Sequence, residues 1–290
     1  MISVFCNNKE IPLNKVTFSD GAFTYKLDSL PKDARYIWLT VDPSTPVYMV
    51  REEILLVTEC IASLADEMYF EKDVELNLSL DYLPYGRCDR VFETGNPNAL
   101  LSFLNTLDDI NGFDKIYIND IHNSKAVHDI IYQYGMNLNI IEKSQLSCFK
   151  DSIPFDFNTD YDIVLSPDKG SRKKSRTIAE HLEVDVFNCE KERDVTTGNI
   201  IKSVLPDINL KGKKILIPDD LLDGGYTFYK LAELLKKEGA LQVDLYVTHM
   251  IGSKGLDLFK GLIDNIYCYQ IVGNHLNKED INNFNSREEK

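Results

Sequence analysis

Two adjacent carboxylates followed by a pair of glycines are the clearest chemical signal in this 290-residue chain. The run Ile217-Pro218-Asp219-Asp220-Leu221-Leu222-Asp223-Gly224-Gly225-Tyr226-Thr227 sets Asp219 and Asp220 at the end of an apolar strand and then opens a helix through a glycine-containing turn. Ligands of open α/β sheets bind at that edge, and the free N–H groups of a helix N-terminus suit a phosphate. Asp219 and Asp220 can face two ribose hydroxyls, directly or through Mg²⁺, while Gly224, Gly225 and Thr227 can wrap a 5′-phosphate. The plainer alternative is an Asp-rich turn that caps a helix.

Other groups of the same character lie elsewhere in the chain. Lys191 and Arg193 stand two apart beside an irregular Thr196-Thr197-Gly198 stretch, where both can close over phosphates; alone, they read as a solvated charged turn. His122 ends a strand, where it can meet a metal-bound phosphate or simply cap the sheet. Arg172, Lys173, Lys174 and Arg176 form a basic patch in an acidic chain, either a solvated face or an anion lure. His128, His181, His249 and His275 lack metal-like spacing and are expected to be structural or surface residues.

The Asp219–Thr227 stretch resembles the phosphoribosyl-pyrophosphate loop of type I phosphoribosyltransferases and of ribose-phosphate pyrophosphokinases. Further segments resemble the second group. Thr17-Phe18-Ser19-Asp20-Gly21 is similar to its Phe-Ser-Asp-Gly-Glu, whose Phe packs on the ATP adenine, commonly across a subunit interface. Pro84-Tyr85-Gly86-Arg87-Cys88-Asp89-Arg90 is similar to Tyr-Ala-Arg-Gln-Asp-Arg, in which the Arg contacts ATP phosphates. Asp120-Ile121-His122 matches Asp-Leu-His, and Ser166-Pro167-Asp168-Lys169-Gly170 with Arg176 resembles Ser-Pro-Asp-X-Gly-Gly and its downstream Arg. Glu190-Lys191-Glu192-Arg193 falls where the family has the Asp-Lys-Arg-Arg of a mobile catalytic loop. The matches keep family order from about residue 17 to 249.

The resemblance implies a Mg²⁺-ATP-dependent transfer of the β,γ-diphosphate to the C1 hydroxyl of a ribose 5-phosphate-type acceptor. Ribose 5-phosphate would yield PRPP and AMP. Attack at the β-phosphorus spreads charge over phosphate oxygens, so catalysis needs metal and cationic clamps more than covalent chemistry. The implied ATP-binding residues are Phe18, Asp20, Arg87, Asp89 and Arg90. The catalytic residues are Lys191, Arg193 and His122, and the metal residues His122 and Asp168. Asp219, Asp220, Asp223, Gly224, Gly225, Tyr226 and Thr227 would cradle the sugar phosphate. Because Mg²⁺ prefers oxygen ligands, Asp168 and the Asp219/Asp220 pair suit it better than any cysteine.

The chain also departs from the family pattern. Ala22 replaces the Glu after Gly21, Ser171 replaces the second Gly of the Asp168 loop, Gly224 replaces the usual Thr, and Tyr226 replaces the second Gly of the sugar loop. Ala22 removes a hydrogen bond implied to the adenine, whereas the changes in the sugar loop fall on the acceptor side, where a ring at position 226 can stack on a base or extend a wall. Certain bacteriophage relatives pyrophosphorylate ADP-ribose to help rebuild NAD, so ADP-ribose is the alternative acceptor. Further alternatives are a phosphoribosyltransferase and a non-catalytic regulatory homologue. Arg87-Cys88-Asp89-Arg90 and Asp120-Ile121-His122 argue against the first, and the retained Lys191 and Arg193 against the second.

The elements that must hold these residues alternate. Strands are predicted at 35–41, 74–80, 115–120, 161–165, 214–217 and 243–248, and helices at 51–70, 98–107, 176–182 and 228–237. Such alternation argues for parallel sheets. With the resemblance, the expectation is two doubly wound parallel-sheet α/β domains of type I phosphoribosyltransferase-like fold, pseudo-symmetric, spanning 1–152 and 153–290, with ATP and sugar meeting in the cleft between them. Residues 277–290 read as a frayed polar tail.

Composition is ordinary for a soluble globular protein: 43% of residues are hydrophobic and 27% charged. A net charge of −14 argues against nucleic acid as a partner. No stretch is long and apolar enough for a membrane span, and the N-terminus lacks a signal-peptide pattern. The six cysteines form no CxxC pair and fit reduced thiols in the cytoplasm. The resemblance implies a homo-oligomer, dimer or hexamer, since the family shares adenine sites between subunits.

Overall fold

The computed structural model describes residues 1–67, 73–91, 93–153, 160–193 and 200–286, with 191–193 and 200–203 described as backbone only. The chain forms two compact units, Met1–Lys143 and Ser144–Lys290. Both are α/β: the main sheet of the first unit is mixed, parallel from its third strand in spatial order onward, and that of the second is parallel throughout.

In the first unit β1 (Ile2–Cys6) turns back into β2 (Lys9–Ile11) through Asn7 and Asn8, at φ 47° and 66°. Asparagine tolerates that left-handed pair, which matches the twist of a two-residue hairpin. A second hairpin, β3 (Leu13–Thr17) and β4 (Phe23–Leu27), stays outside the main sheet. Next come β5 (Tyr36–Val41), α1 (Val47–Glu67), β6 (Glu75–Leu80), α2 (Ala99–Ile110), β7 (Lys115–Asn119), α3 (Ser124–Tyr134) and β8 (Ile140–Lys143). The sheet runs β2-β1-β5-β6-β7-β8. The strands from β5 to β8 are parallel, and β1 joins β5 antiparallel. Helix α1 starts four residues before the predicted 51, directly after Pro46, whose missing N–H costs nothing at a helix start. Asn98 caps α2 by accepting from Leu101 N, and the helix buries Leu100, Phe103, Leu104 and Leu107, one face at helical spacing.

The second unit begins with α4 (Gln145–Ser152), followed by β9 (Ile163–Ser166), α5 (Arg172–Leu182) and β10 (Asp185–Asn188). A two-stranded ribbon, β11 (Glu190–Arg193) with β12 (Ile200–Val204), leads to β13 (Lys214–Leu222), α6 (Tyr226–Lys237), β14 (Gln242–Met250), β15 (Asn265–Ile271) and α7 (Lys278–Asn285). The sheet is wholly parallel in the order β10-β9-β13-β14-β15. Strand order therefore reverses between β9 and β13, the switch point where open α/β sheets take ligands. The expected junction followed residue 152, whereas the unit boundary precedes α4. Phe149 of that helix packs edge-on against Tyr246 of β14, ring centroids 4.9 Å apart, in a core with Tyr161, Val164 and Ile178.

Two sequence expectations need correction. Strand β13 does not end at Ile217 but runs to Leu222, since its pairing with β14 continues to Leu222↔Met250. Pro218 is tolerated inside it because the ladder to β9 has already ended at Leu216. The polar tail is not frayed throughout: Asn277 and Asp280 form a reciprocal capping box, and Ile281 and Phe284 of α7 are buried. Residues 287–290 lie outside the described residues.

Candidate functional site

Most residues singled out for chemistry lie at or after the carboxyl ends of the parallel strands within each unit; Phe18 and Asp20, and Lys191 and Arg193, lie in the separate two-stranded ribbons. In the second unit the loops after β9 and β13 flank the switch point. Near the end of β13, Asp219 and Asp220 are adjacent, and their side chains lie close enough to interact directly. Asp219 Oδ1 accepts the backbone N–H of Asp220 at 2.9 Å. Burial pushes the Asp219 carboxyl well above the usual carboxylate range, and the charges of Asp220 and Asp168 push it the same way. Two carboxylates of β13 and one from the loop after β9 therefore repel one another at this edge.

Asp168 also braces its own turn. Its Oδ1 accepts from Gly170 N at 2.9 Å and Ser171 N at 3.1 Å, and its carbonyl oxygen accepts from Ser166 Oγ at 2.9 Å. Ser171, which stands where the family has glycine, hydrogen-bonds Ser166 through the two hydroxyls at 2.9 Å. Helix α5 starts at Arg172, not Arg176, so Arg172, Lys173 and Lys174 occupy its first turn. Cations there oppose the helix dipole, an arrangement that a bound anion would relieve. Arg172 lies 3.7 Å from Glu190, the first residue of β11.

After β13 the chain turns sharply. Gly225 adopts φ +74°, and a Cβ there would lie 2.6 Å from Phe259 Cζ, so glycine is required both by conformation and by space. Helix α6 opens immediately behind it, at Tyr226 instead of the predicted 228, with no side-chain cap on its first N–H groups. Asp223 Oδ1 accepts from Ser253 Oγ at 2.6 Å. Gly224 has room, with only Lys254 Cγ near at 3.9 Å. Tyr226 is 69% exposed and its ring stacks on Tyr229, centroids 6.3 Å apart at 27°. Lys230 Nζ lies 5.0 Å from the Tyr229 ring centroid and 5.8 Å from that of Tyr226. Thr227 occupies the first turn of α6.

Lys191 and Arg193 are strand residues of β11, opposite Ser203 and Ile200 of β12, not part of an irregular stretch. Their register shifts between Glu192 and Arg193. Thr196, Thr197 and Gly198 lie outside the described residues.

In the first unit the loops after β6 and β7 hold Arg87, Asp89, Arg90 and His122. Arg87, Arg90 and His122 are exposed. Asp89 faces inward: its side chain is 7% exposed, Oδ2 accepts from Asn123 Nδ2 at 2.5 Å, and Oδ1 lies 3.3 Å from Arg90 Nε. The turn before His122 is built around Asp120, at φ 39°. Glu142 of β8 fixes it from the side, accepting from Ile121 N at 3.0 Å and Ser124 Oγ at 2.5 Å. Asn123 Oδ1 accepts from Ala126 N at 3.2 Å and caps α3. Phe18 and Asp20 sit at the tip of the β3–β4 hairpin, where Phe18 is 54% exposed and Asp20 Oδ1 accepts from Ala22 N at 3.0 Å.

Asn123, Glu142 and Ser253 escaped the sequence reading. Asn123 carries a local signal, an Asn at a helix start, whereas Glu142 and Ser253 are remote from what they hold. His249, expected to be structural, is buried, with Nδ1 2.9 Å from Gln270 Nε2. Among the described residues no group of three or more His, Cys, Asp or Glu side chains is arranged to hold a metal ion. The crowding of Asp168, Asp219 and Asp220 nonetheless suits a divalent cation, whose charge would relieve it. All six cysteines are free thiols, and no described helix is long and apolar enough to cross a membrane.

The phosphoribosyl transferase domain family matches residues 146–264. The ribose-phosphate pyrophosphokinase of Pyrococcus abyssi is 29% identical over 239 residues, covering 82% of this chain and 76% of the relative. That of Thermococcus kodakarensis is 30% identical over 203 residues, covering 70% and 66%. The crystal structure of phosphoribosylpyrophosphate synthetase from Mycobacterium smegmatis shares the fold, with a TM-score of 0.67 at 18% identity over 88% of this chain and 79% of that one.

Proposed function

From a chain that belongs to the ribose-phosphate pyrophosphokinase family of transferases, we propose the transfer of the β,γ-diphosphate of Mg²⁺-ATP to the C1 hydroxyl of a ribose 5-phosphate-type acceptor. The C1 oxygen bonds to the β-phosphorus, the bond from that phosphorus to the AMP oxygen breaks, and the hydroxyl proton leaves. With ribose 5-phosphate the products are PRPP and AMP.

One observation carries the reading: the acid pair of β13 leads, at a switch point, into a glycine turn and an uncapped helix N-terminus. Asp219 and Asp220 meet the ribose hydroxyls. Asp223, Gly224, Gly225, Tyr226 and Thr227 surround the 5′-phosphate, whose charge the free N–H groups of α6 favour. Phe18 and Asp20 meet adenine, Arg87 and Arg90 hold ATP phosphates, and Asp89 holds Arg90. Lys191 and Arg193 neutralise charge on the moving diphosphate. His122 and Asp168 would hold Mg²⁺, which shields the phosphate oxygens from an approaching nucleophile's charge. The reading carries a homo-oligomer, dimer or hexamer, in the cytoplasm.

A second acceptor, ADP-ribose, is favoured by the aromatic platform. ADP-ribose extends beyond its 5′-phosphate into a nucleotide, and Tyr226, exposed, stacked on Tyr229 and first in the helix behind the glycine turn, would offer that extension an aromatic face. The test incubates the protein with Mg²⁺-ATP and either ribose 5-phosphate or ADP-ribose, then follows AMP and the diphosphate ester. One AMP per ester with one acceptor is expected. AMP with neither would overturn the proposal, and ester formation only when PRPP and a base are supplied would indicate a phosphoribosyltransferase.

A further inference from the structure

Beneath the β3–β4 hairpin lies a cluster of charge that neither strand edge uses. Glu53 of α1 is 1% exposed. Its Oε1 accepts from Lys15 Nζ of β3 at 2.9 Å and from Tyr25 OH of β4 at 2.8 Å. Its Oε2 is buried with no hydrogen-bond partner. Lys15 Nζ also stands 3.9 Å from the Phe23 ring centroid and 5.5 Å from that of Tyr25. Burial and the Glu53 carboxylate push the Tyr25 hydroxyl above its ordinary range, so it remains a donor.

Apolar packing would hold a hairpin against a helix more cheaply, since a buried ion pair seldom repays its desolvation and an orphaned carboxylate oxygen adds to the cost. What the ionic contact supplies is direction. Among the described residues β3 and β4 pair only with each other, so no neighbouring strand fixes the ribbon's direction, while Tyr25 and Leu27 seat it on the core. Its tip is internally fixed, with Phe18 N donating to Ala22 O at 2.7 Å, Gly21 N to Phe18 O at 3.0 Å, and Gly21 at φ 91°. A rigid tip points wherever the seating of its ribbon sets it. One residue from each strand converges on one oxygen of Glu53.

We propose that Glu53 is a positioning residue. By gripping Lys15 and Tyr25 together it sets the angle at which the hairpin presents Phe18 to the nucleotide base. The inference rests on the reading above that Phe18 meets adenine.

The test compares wild type with Glu53→Gln, which keeps the shape and an acceptor for Tyr25 but loses the charge facing Lys15, and with Lys15→Met. Binding of ATP and of inorganic tripolyphosphate, which lacks the base, is measured by calorimetry with Mg²⁺ on each protein after its melting temperature confirms folding. ATP affinity should fall roughly five- to tenfold in both variants, and likewise in a Phe18→Ala control, with tripolyphosphate affinity unchanged. Unchanged ATP affinity, or an equal loss for both ligands, overturns the inference. AMP release by wild type is scored separately. Its absence, with the split in affinity intact, would reject the proposed reaction and leave the positioning role standing.

Discussion

Asn123 donates through Nδ2 to Asp89 Oδ2 over 2.5 Å, tying the loop that carries Arg87 to the loop that carries His122. The same side chain caps α3 through Oδ1, so one asparagine serves two loops and a helix. Asn123→Ala should therefore cost about 1–2 kcal/mol from the lost cap alone. It should also raise the KM for ATP several-fold without shifting the KM for the sugar, because Arg87 and His122 no longer share a frame. Thermal denaturation and steady-state kinetics with each substrate varied check the two parts.

The sugar-phosphate turn makes opposite forecasts for neighbouring glycines. Gly225→Ala forces a Cβ into a left-handed backbone and against Phe259, 2.6 Å from Cζ. A loss of about 2–4 kcal/mol is expected from the two effects together, seen in the denaturation midpoint. Gly224→Thr meets only Lys254 Cγ at 3.9 Å. Restoring that hydroxyl should lower the KM for ribose 5-phosphate roughly tenfold, about the worth of one hydrogen bond to a charged group. An unchanged KM would show that the loop does not bind a phosphate monoester at this position.

The contrast between these residues explains what the sequence made visible. The β13 signal is local: an apolar run, an acid pair and a glycine turn lie within eleven residues, and backbone rules alone place them at a sheet edge. Glu53, Glu142 and Ser253 show nothing comparable, since each acts on residues 18 to 38 positions away and becomes meaningful only once packing joins them. Pro218 normally ends a strand, so the sequence alone points to a shorter β13, and only pairing with β14 shows why the strand continues. Helix α7 was hidden by its charge, although Asn277 and Asp280 spell a cap and Ile281 with Phe284 an apolar stripe.

Acid should weaken the second unit at an identifiable carboxylate. Asp162 accepts from Lys214 N at 2.9 Å and lies 3.0 Å from Lys213 Nζ, and these contacts hold its carboxyl below the usual range. Between the lowered and the ordinary value the unfolded chain binds the proton more tightly, so stability there rises with pH and is lost as pH falls through the folded value. Solvent screens the pair, which limits the effect to about 0.5–1 kcal/mol. Asp162→Ala should lose that amount at pH 7 and match wild type below the lowered value. A variant equally destabilised at every pH would refute the electrostatic account.

Asp219 presents the reverse case, a carboxylate held where its charge is unwelcome. Burial, Asp220 and Asp168 all disfavour the ionised form, and a single backbone N–H from Asp220 at 2.9 Å opposes them. A chain selected for stability alone would have a neutral side chain there, so the repulsion marks a site that trades stability for binding. Asp219→Asn should therefore melt higher than wild type in the absence of divalent ions, by a few degrees if about 1 kcal/mol of repulsion is relieved. Saturating Mg²⁺ should narrow or reverse that gap, because a cation bound to the folded protein stabilises wild type by mass action and finds one charge fewer in the variant. Diphosphate transfer should meanwhile fall on the order of a hundredfold, as expected when a group that orients a reactant is lost. Melting curves with and without Mg²⁺, beside the AMP assay, decide the matter. A variant that melts lower than wild type in EDTA would mean that the carboxylate is held by attractions stronger than the repulsion from Asp168 and Asp220.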